Sequence, residues 1–564
     1  KKIEHLNMPI ILTLKASIYS KMRQYNIAIG LLQRCTKNFP EYFNGWNDLS
    51  VVLVLVGRWQ EAYKALLKAA DLEPENTLVY SNLVSLFIQL HSFSRALKTI
   101  KPLLDKADQH ANIAIHACSL FSYLGSHDLA LKYAKKALTI APKQHQSITV
   151  KLFSGFYQPA DSRSDHYVNA RRWAKSIETR IQPSKEHINI DLAPLPKDHE
   201  IIRVGYLSAD FRNHAGIYTT RKSLPAHNRD RFEVHCIYNN SLYDHETKQL
   251  QKHVDGWHDI SKLNFIEACV KIRKLKLHVL IDLSVASHGS IPELIALRLA
   301  PIQATWMHFD TSGFKQMDYW FTHPYFNPLS MQPLSCEKLI YLQHASLPFD
   351  PPKAPFIKRK PKNHHKKEPI IFGSFNNLRK ISDHCLRAWS KILEACPNSS
   401  IVVKNMILGD DETKVFFKER CSTVGIDSTR ISFLKYEKTH VNLETYTKAD
   451  IALDSFPYTG AITTLETLWM GTPVITLRTG RPSGMVSAAI LNETGLSELV
   501  ASNFYDYIEK AIKLANDYER LNDLHLNLRQ MMLKSDYCDM KKVITSLETA
   551  IIESIHDKQT KTLD

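Results

Sequence analysis

Four alanines, Ala28, Ala62, Ala96 and Ala130, recur every 34 residues, and Pro40, Pro74 and Pro142 follow in the same register. A strict 34-residue period leaves few folds open: it is the period of paired helices that stack into a solenoid. The second unit carries most of the pattern, with Trp46, Leu49, Leu53, Gly57, Ala62, Leu66, Ala69 and Pro74. Trp46 and Tyr80 supply the large residue of the first helix, Gly57 and Gly125 the turn, and the alanines the small residue where two helices approach closely. A proline then closes the second helix, because its ring removes the N–H that the next turn needs. The third unit carries Asp108 at that place.

These units read as about four tetratricopeptide repeats over residues 9–143. Unrelated amphipathic helices would not hold one register through four units. Stacked repeats bury a continuous core and leave a concave groove that suits a peptide or protein, so this region points to a protein partner and carries no chemistry of its own.

At 564 residues the chain is too long for a single core. Its hydrophobic content of 44% is that of an ordinary globular protein, and its apolar runs, such as Val51–Val56, fall far short of the roughly 20 residues that a membrane helix needs. No membrane span is expected, and the first residues carry no charged-then-apolar signal pattern. Nine cysteines are scattered without a C-x-x-C pair. That usage fits reduced thiols in a cytoplasm better than a disulfide framework or a zinc site. The net charge of +15 concentrates locally in Lys353, Lys358, Arg359, Lys360, Lys362, Lys366 and Lys367, in a Pro-rich stretch with His364 and His365. A solvated linker accounts for this run, and without aromatic interleaving or a reader motif it does not make a nucleic-acid-binding surface.

From about residue 200 the pattern turns to alternating strands and helices. Apolar runs at 201–207, 232–238 and 279–283 precede the basic linker, and the rhythm restarts at 370–375, 400–404, 431–434, 451–453 and 474–477. Two α/β halves of this kind predict two doubly wound parallel sheets, with a ligand cleft at the carboxyl ends of their strands. The expected organisation is repeats over 1–143, a helical linker over 144–199, an N-terminal lobe over 200–350, the basic linker over 351–368, a nucleotide-binding C-terminal lobe over 369–535 and a final helix over 536–564.

Two strings in the second half carry the most chemistry. Phe372-Gly-Ser-Phe-Asn-Asn-Leu-Arg-Lys380 leaves a strand and places Asn376, Asn377 and Lys380 at its carboxyl end. Asp450-Ile-Ala-Leu-Asp-Ser-Phe-Pro-Tyr-Thr-Gly460 runs into a helix start that carries Thr463, Thr464 and Glu466. Free N–H groups of that helix start, with the threonine hydroxyls, form an anion site, and Lys380 would add charge for a diphosphate. Each residue also has a plainer reading. The threonines could cap the helix, Glu466 could be a first-turn acid, Lys380 a solvated lysine, and Asp454, Phe456 and Tyr458 packing and turn residues.

These strings resemble the protein O-glycosyltransferase family of O-GlcNAc transferase and SPINDLY, and the resemblance runs through the whole chain. Val204-Gly-Tyr-Leu-Ser-Ala-Asp-Phe-Arg-Asn-His214, Ala300-Pro-Ile-Gln-Ala-Thr-Trp306 and Thr311-Ser-Gly313 match as well. The resemblance implies a tetratricopeptide solenoid followed by a GT-B region of two Rossmann-like lobes. It implies inverting transfer of a sugar from a nucleotide-sugar to Ser or Thr hydroxyls, with no cofactor and no obligatory metal, on acceptor proteins held by the repeats. UDP-GlcNAc is the donor that it favours, GDP-fucose being that of SPINDLY. By position, His214 matches the active-site His, Lys380 the diphosphate-binding Lys, Asn377 an amide near the donor, Thr463 a phosphate-contacting Thr and Glu466 the acid that holds the ribose.

Other positions depart from the family pattern. His308-Phe-Asp310 replaces a Gly-Tyr-Pro-Gly loop, Ser284-Val-Ala-Ser287 a Gly-His-Thr segment, Asn442 a His, Ala461-Ile462 a hydroxyl-bearing pair and Met485 an Arg; His440 lies two residues from Asn442. These changes sit around one cleft. They keep open a second reading, a degenerate transferase that serves as a tetratricopeptide scaffold.

Overall fold

The computed structural model describes residues 9–22, 24–158, 163–182, 188, 190–284, 289–345, 347–356, 359–362, 368–434 and 443–563. Lys358, His364, His365, Lys366 and Lys367 of the basic linker, Val285–Ser287, and His440 and Asn442 lie outside the described residues. The chain divides into two compact units, one built on residues up to Ser154 and the other on Gly155–Asp564 apart from two short segments.

The first unit is a run of helix pairs: Pro9–Lys21 with Tyr25–Asn38, Phe43–Leu55 with Trp59–Leu72, Thr77–Gln89 with Phe93–Ile100, and Ala111–Tyr123 with His127–Ile140. Within each second helix the small and apolar residues fall three and four apart, so one stripe faces the core. Ala62, Leu66 and Ala69 form that stripe in the second pair. Ala28, Ala62, Ala96 and Ala130 are at most 1% exposed, so nothing larger than a methyl fits at the repeat position. The turns need a left-handed backbone, met by Gly57 at φ 76° and Gly125 at φ 75°; in the third pair His91 takes the same role at φ 55°. The third pair also differs at its end. Pro102 stops the α-helix at Ile100 and the chain continues as a 3₁₀ turn, Lys101–Asp108. Replacing Ala62 by Leu should lower the stability of this unit by ~2 kcal/mol, the cost of forcing a larger side chain into a filled core. A shift to lower urea of the first loss of helical signal checks this; an unchanged midpoint would contradict the packing.

The second unit holds two parallel sheets. The first contains β1 (Ile202–Ser208), β2 (Phe232–Tyr238), β3 (Gly256–Asp259), β4 (Val279–Asp282), β5 (Ile302–Trp306), β6 (Tyr319–Thr322) and β7 (Lys338–Tyr341), in the order β3-β2-β1-β4-β5-β6-β7. The second contains β8 (Ile371–Ser374), β9 (Ser400–Lys404), β10 (Ile431–Leu434), β11 (Ile451–Leu453), β12 (Val474–Leu477) and β13 (Val500–Ala501), in the order β10-β9-β8-β11-β12-β13. Strands β4, β5, β6 and β12 are buried along their whole length, as strands covered on both faces must be. Sequence order reverses between β1 and β4 in one sheet and between β8 and β11 in the other. Such switch points open crevices at the carboxyl ends of those strands.

The chain's last helix, Met540–Leu563, returns to the first sheet. Asp557 accepts from Tyr319 and from Lys338, each at 2.6 Å, and Glu548 meets His227 at 2.9 Å. Those donors hold the Asp557 carboxyl well below the usual carboxylate range despite some burial.

Candidate active site

The loops that leave β1, β8 and β11 at the two switch points carry the candidate residues. After β11 the chain forms a tight turn, Asp454–Gly460, organised by one buried carboxylate. Asp454 Oδ1 accepts from Asn376 Nδ2 at 2.7 Å and from the N–H groups of Ser455 and Gly460 at 2.9 Å, and Oδ2 accepts from Thr476 at 2.7 Å. Asn376, after β8, is thereby locked to the loop after β11. Gly460 is required at its place, since a Cβ there would stand 2.3 Å from Thr464 Oγ1.

Lys380 lies against this turn. Its ammonium donates to the carbonyl of Thr459 at 2.6 Å and sits 4.2 Å from the centre of the Tyr458 ring. Burial pulls its pKa down to about 8, with the charge of Asp454 opposing the fall. The helix Ile462–Trp469 begins beside it, and its N-cap, Ala461, provides no side-chain hydrogen bond. An uncapped helix start directs N–H groups and a partial positive charge at whatever lies before it.

The structure sorts the remaining sequence candidates. Thr463 is partly exposed at the helix start. Thr464, read from sequence as a donor contact, is 2% exposed and its hydroxyl pairs with Ser487 Oγ at 2.8 Å. Asn377 is exposed, and its Oδ1 accepts from the N–H of Arg379 at 3.1 Å, capping the turn that carries Lys380. Glu466 Oε2 accepts from the Tyr446 hydroxyl at 2.6 Å, and burial pushes its pKa up to about 7 against the pull of that bond and of Lys404. His214, on the loop after β1, is about half exposed; its Nδ1 accepts from the N–H of Gly216 at 3.2 Å and lies 3.7 Å from Asp210. The neutral ring therefore carries its proton on Nε2.

Tyr218, Tyr446 and Lys404 were not singled out from sequence. Tyr218, four residues past His214, is buried with its pKa pushed up to about 12, and after burial the Glu466 charge is the largest cause, so the loop after β1 faces the helix after β11. Phe375 and Tyr446 pack at 4.7 Å between ring centres, and Lys404 lies 5.5 Å over Tyr446. In the departing loop His308–Asp310, His308 and Phe309 are half-buried and Asp310 is buried: Asp310 lies 3.8 Å from His166, and burial raises its pKa to about 6 despite the charge of Arg481. No local pattern marks Tyr218, Tyr446 or Lys404, because each acquires its role from a partner distant in the chain.

Glu466 makes the stability of the fold pH-dependent. Its folded pKa, about 7, lies above the ordinary 4.5, so the native state keeps a proton that the unfolded chain has lost. Stability therefore falls as pH rises from the lower value to the higher. Glu466→Gln, which cannot ionise, should melt higher than the wild type at about pH 8 by an amount worth ~2 kcal/mol, and should lose that advantage near pH 4.5. Equal differences at both pH values would show that the carboxyl does not titrate there.

Comparison with known proteins agrees with this fold. Among the described residues no helix is long and apolar enough to cross a membrane. The profile of glycosyl transferase family 41 matches residues 185–351 and 348–547. A probable UDP-N-acetylglucosamine–peptide N-acetylglucosaminyltransferase SPINDLY of Eustoma exaltatum subsp. russellianum is 34% identical over 361 residues, 63% of this chain and 39% of that protein. The SPINDLY of Oryza sativa subsp. japonica is 30% identical over 424 residues, 74% of this chain and 45% of that one. The chain thus spans less than half the length of these curated relatives. A mutant of the Thermobaculum terrenum O-GlcNAc transferase superposes with a TM-score of 0.75 at 25% identity, covering 98% of both chains. With both lobes inside the matched range and the switch-point loops in place, the chain belongs to glycosyl transferase family 41.

Proposed function

We propose that this chain is a protein O-glycosyltransferase that moves GlcNAc from UDP-GlcNAc to Ser or Thr hydroxyls with inversion and without a metal ion. The observation that carries the reading is the half-buried Lys380, its ammonium desolvated beside an uncapped helix start, at the switch point of the second sheet. In the transfer, the acceptor oxygen forms a bond to the anomeric carbon while the bond from that carbon to the diphosphate oxygen breaks, its electron pair leaving with the nucleoside diphosphate. Lys380 and the helix N–H groups stabilise that charge, an electrostatic contribution that grows in a water-poor site. The acceptor's proton passes to a base or to a phosphate oxygen. His214, whose Nδ1 is the acceptor of a backbone N–H and whose neutral ring therefore presents Nε2–H, would orient the incoming hydroxyl.

Ionised Glu466 would accept the ribose hydroxyls. The likeness to the Thermobaculum terrenum O-GlcNAc transferase over 98% of both chains supports GlcNAc as the sugar. The groove of the helix pairs would hold the acceptor protein, and the scattered cysteine usage supports a cytoplasmic setting.

Titration with UDP, GDP and their sugars, followed by transfer to a peptide library, tests the reading. UDP affinity should follow a bell in pH, rising as Glu466 ionises near 7 and falling as Lys380 loses its proton near 8. Binding of GDP alone would replace the donor. Binding of neither nucleotide would favour the scaffold reading, consistent with the missing hydroxyls at Ala461 and Ile462.

A further inference from the structure

Tyr458 reads in the sequence as a turn residue between Asp454 and Gly460, but its ring is the surface on which the Lys380 ammonium rests, 4.2 Å from the ring centre. A desolvated ammonium is under pressure to shed its proton, and the structure opposes that in an economical way. An ammonium has three donors, of which the Thr459 carbonyl takes one at 2.6 Å. A paired carboxylate would hold the charge too, but it would compete with an incoming anion for the same cation. The negative face of an aromatic ring stabilises the cation without accepting a strong hydrogen bond, so the remaining donors serve the ligand.

The ring is held in turn. Tyr157 stacks on it at 5.8 Å between ring centres with 29° between planes, and Phe156 and Phe309 approach edge-on at 6.3 and 6.4 Å. The short segment that supplies Phe156 and Tyr157 is clamped by Arg481, which is 1% exposed. Its guanidinium donates to the carbonyls of Gly155 at 2.7 Å, Phe156 at 2.8 Å and Gln158 at 2.6 Å. Three backbone carbonyls on one buried guanidinium fix the segment as a strap across Tyr458.

We propose that Tyr458 is a positioning residue of the donor site: its ring face keeps the Lys380 ammonium charged and aimed at the diphosphate, and the strap Gly155–Gln158, clamped by Arg481, keeps the ring in place. This rests on the reading of Lys380 as the diphosphate ligand. Tyr458→Leu keeps an apolar wall and removes the π face, whereas Tyr458→Phe restores the face without the hydroxyl. Asp454, the charged group that Lys380 senses, stays in both variants.

The test is titration with UDP and GDP between about pH 6.5 and 9.5, with a melting curve for each variant. In the wild type, affinity should fall above about pH 8. Loss of a desolvated cation–π contact should weaken binding by Tyr458→Leu about tenfold near pH 8 and bring the alkaline limb down by about one pH unit, and Tyr458→Phe should return both. A merely structural role would lower the melting temperature and leave the limb where it is. Tyr157→Ala, which loosens the strap and leaves Tyr458 intact, should weaken binding about threefold in the same direction.

A Tyr458→Leu protein with the wild-type limb and affinity within twofold overturns the proposal, as does Tyr458→Phe behaving like Tyr458→Leu, or unchanged binding by Tyr157→Ala. Binding of neither nucleotide by the wild type overturns the Lys380 assignment and this inference with it. Wild-type binding with indifferent variants overturns this inference alone.

Discussion

Lys380→Ala should reduce glycosyl transfer by about two to three orders of magnitude, the usual effect of removing one preorganised donor from developing negative charge. The fold should survive. Among the described residues the Lys380 ammonium makes one hydrogen bond, to a backbone carbonyl, and it lies against a ring that other aromatics hold. Its burial means that the ammonium is desolvated before any ligand arrives, so its loss also relieves a cost, and the melting temperature should change little. Single-turnover transfer and UDP titration separate the two components. Arginine would not restore function, because a planar fork cannot stand in for a compact ammonium held between a carbonyl and a ring face. Transfer within threefold of wild type by Lys380→Ala would remove Lys380 from the site.

Asp454→Ala should have the largest effect on stability, ~4 kcal/mol, and should abolish nucleotide binding with it. The 2%-exposed carboxylate gathers two backbone N–H groups, the Asn376 amide and the Thr476 hydroxyl. Hydrogen bonds to a charged group contribute ~1.5–3 kcal/mol each, and donors left buried without an acceptor add to the loss. Asp454→Asn keeps an oxygen for part of the set and should lie between the two. Urea unfolding followed by tryptophan fluorescence measures this, and a loss under ~1 kcal/mol would show that the turn after β11 is held by other contacts. The contrast between the two variants is informative: Lys380→Ala removes chemistry from an intact cleft, whereas Asp454→Ala removes the cleft's floor.

The amino-acid sequence by itself determined the elements whose cause is local or periodic. Ala28, Ala62, Ala96 and Ala130 announce the helix pairs because every unit meets the same steric demand at the same place, and their near-complete burial answers it. The apolar runs of β1, β2, β4, β9 and β12 were legible because a strand covered on both faces must be apolar along its length. Strands β3, β5, β6, β7 and β13 passed unread as strands in the sequence. Lys380 and Glu466 stood out only through the strings around them.

Tertiary structure alone decided how those side chains are used. It turned the Thr464 hydroxyl onto Ser487, 23 residues away, and left Thr463 at the helix start. It set Tyr218 toward Glu466, and it brought Arg481 to carbonyls more than 300 residues earlier in the chain. The physical reason is common to all three. A hydroxyl, a carboxyl or a guanidinium has no fixed chemistry until burial removes water and a particular partner replaces it, and that partner is chosen by the packing of sheets and loops rather than by neighbours in sequence.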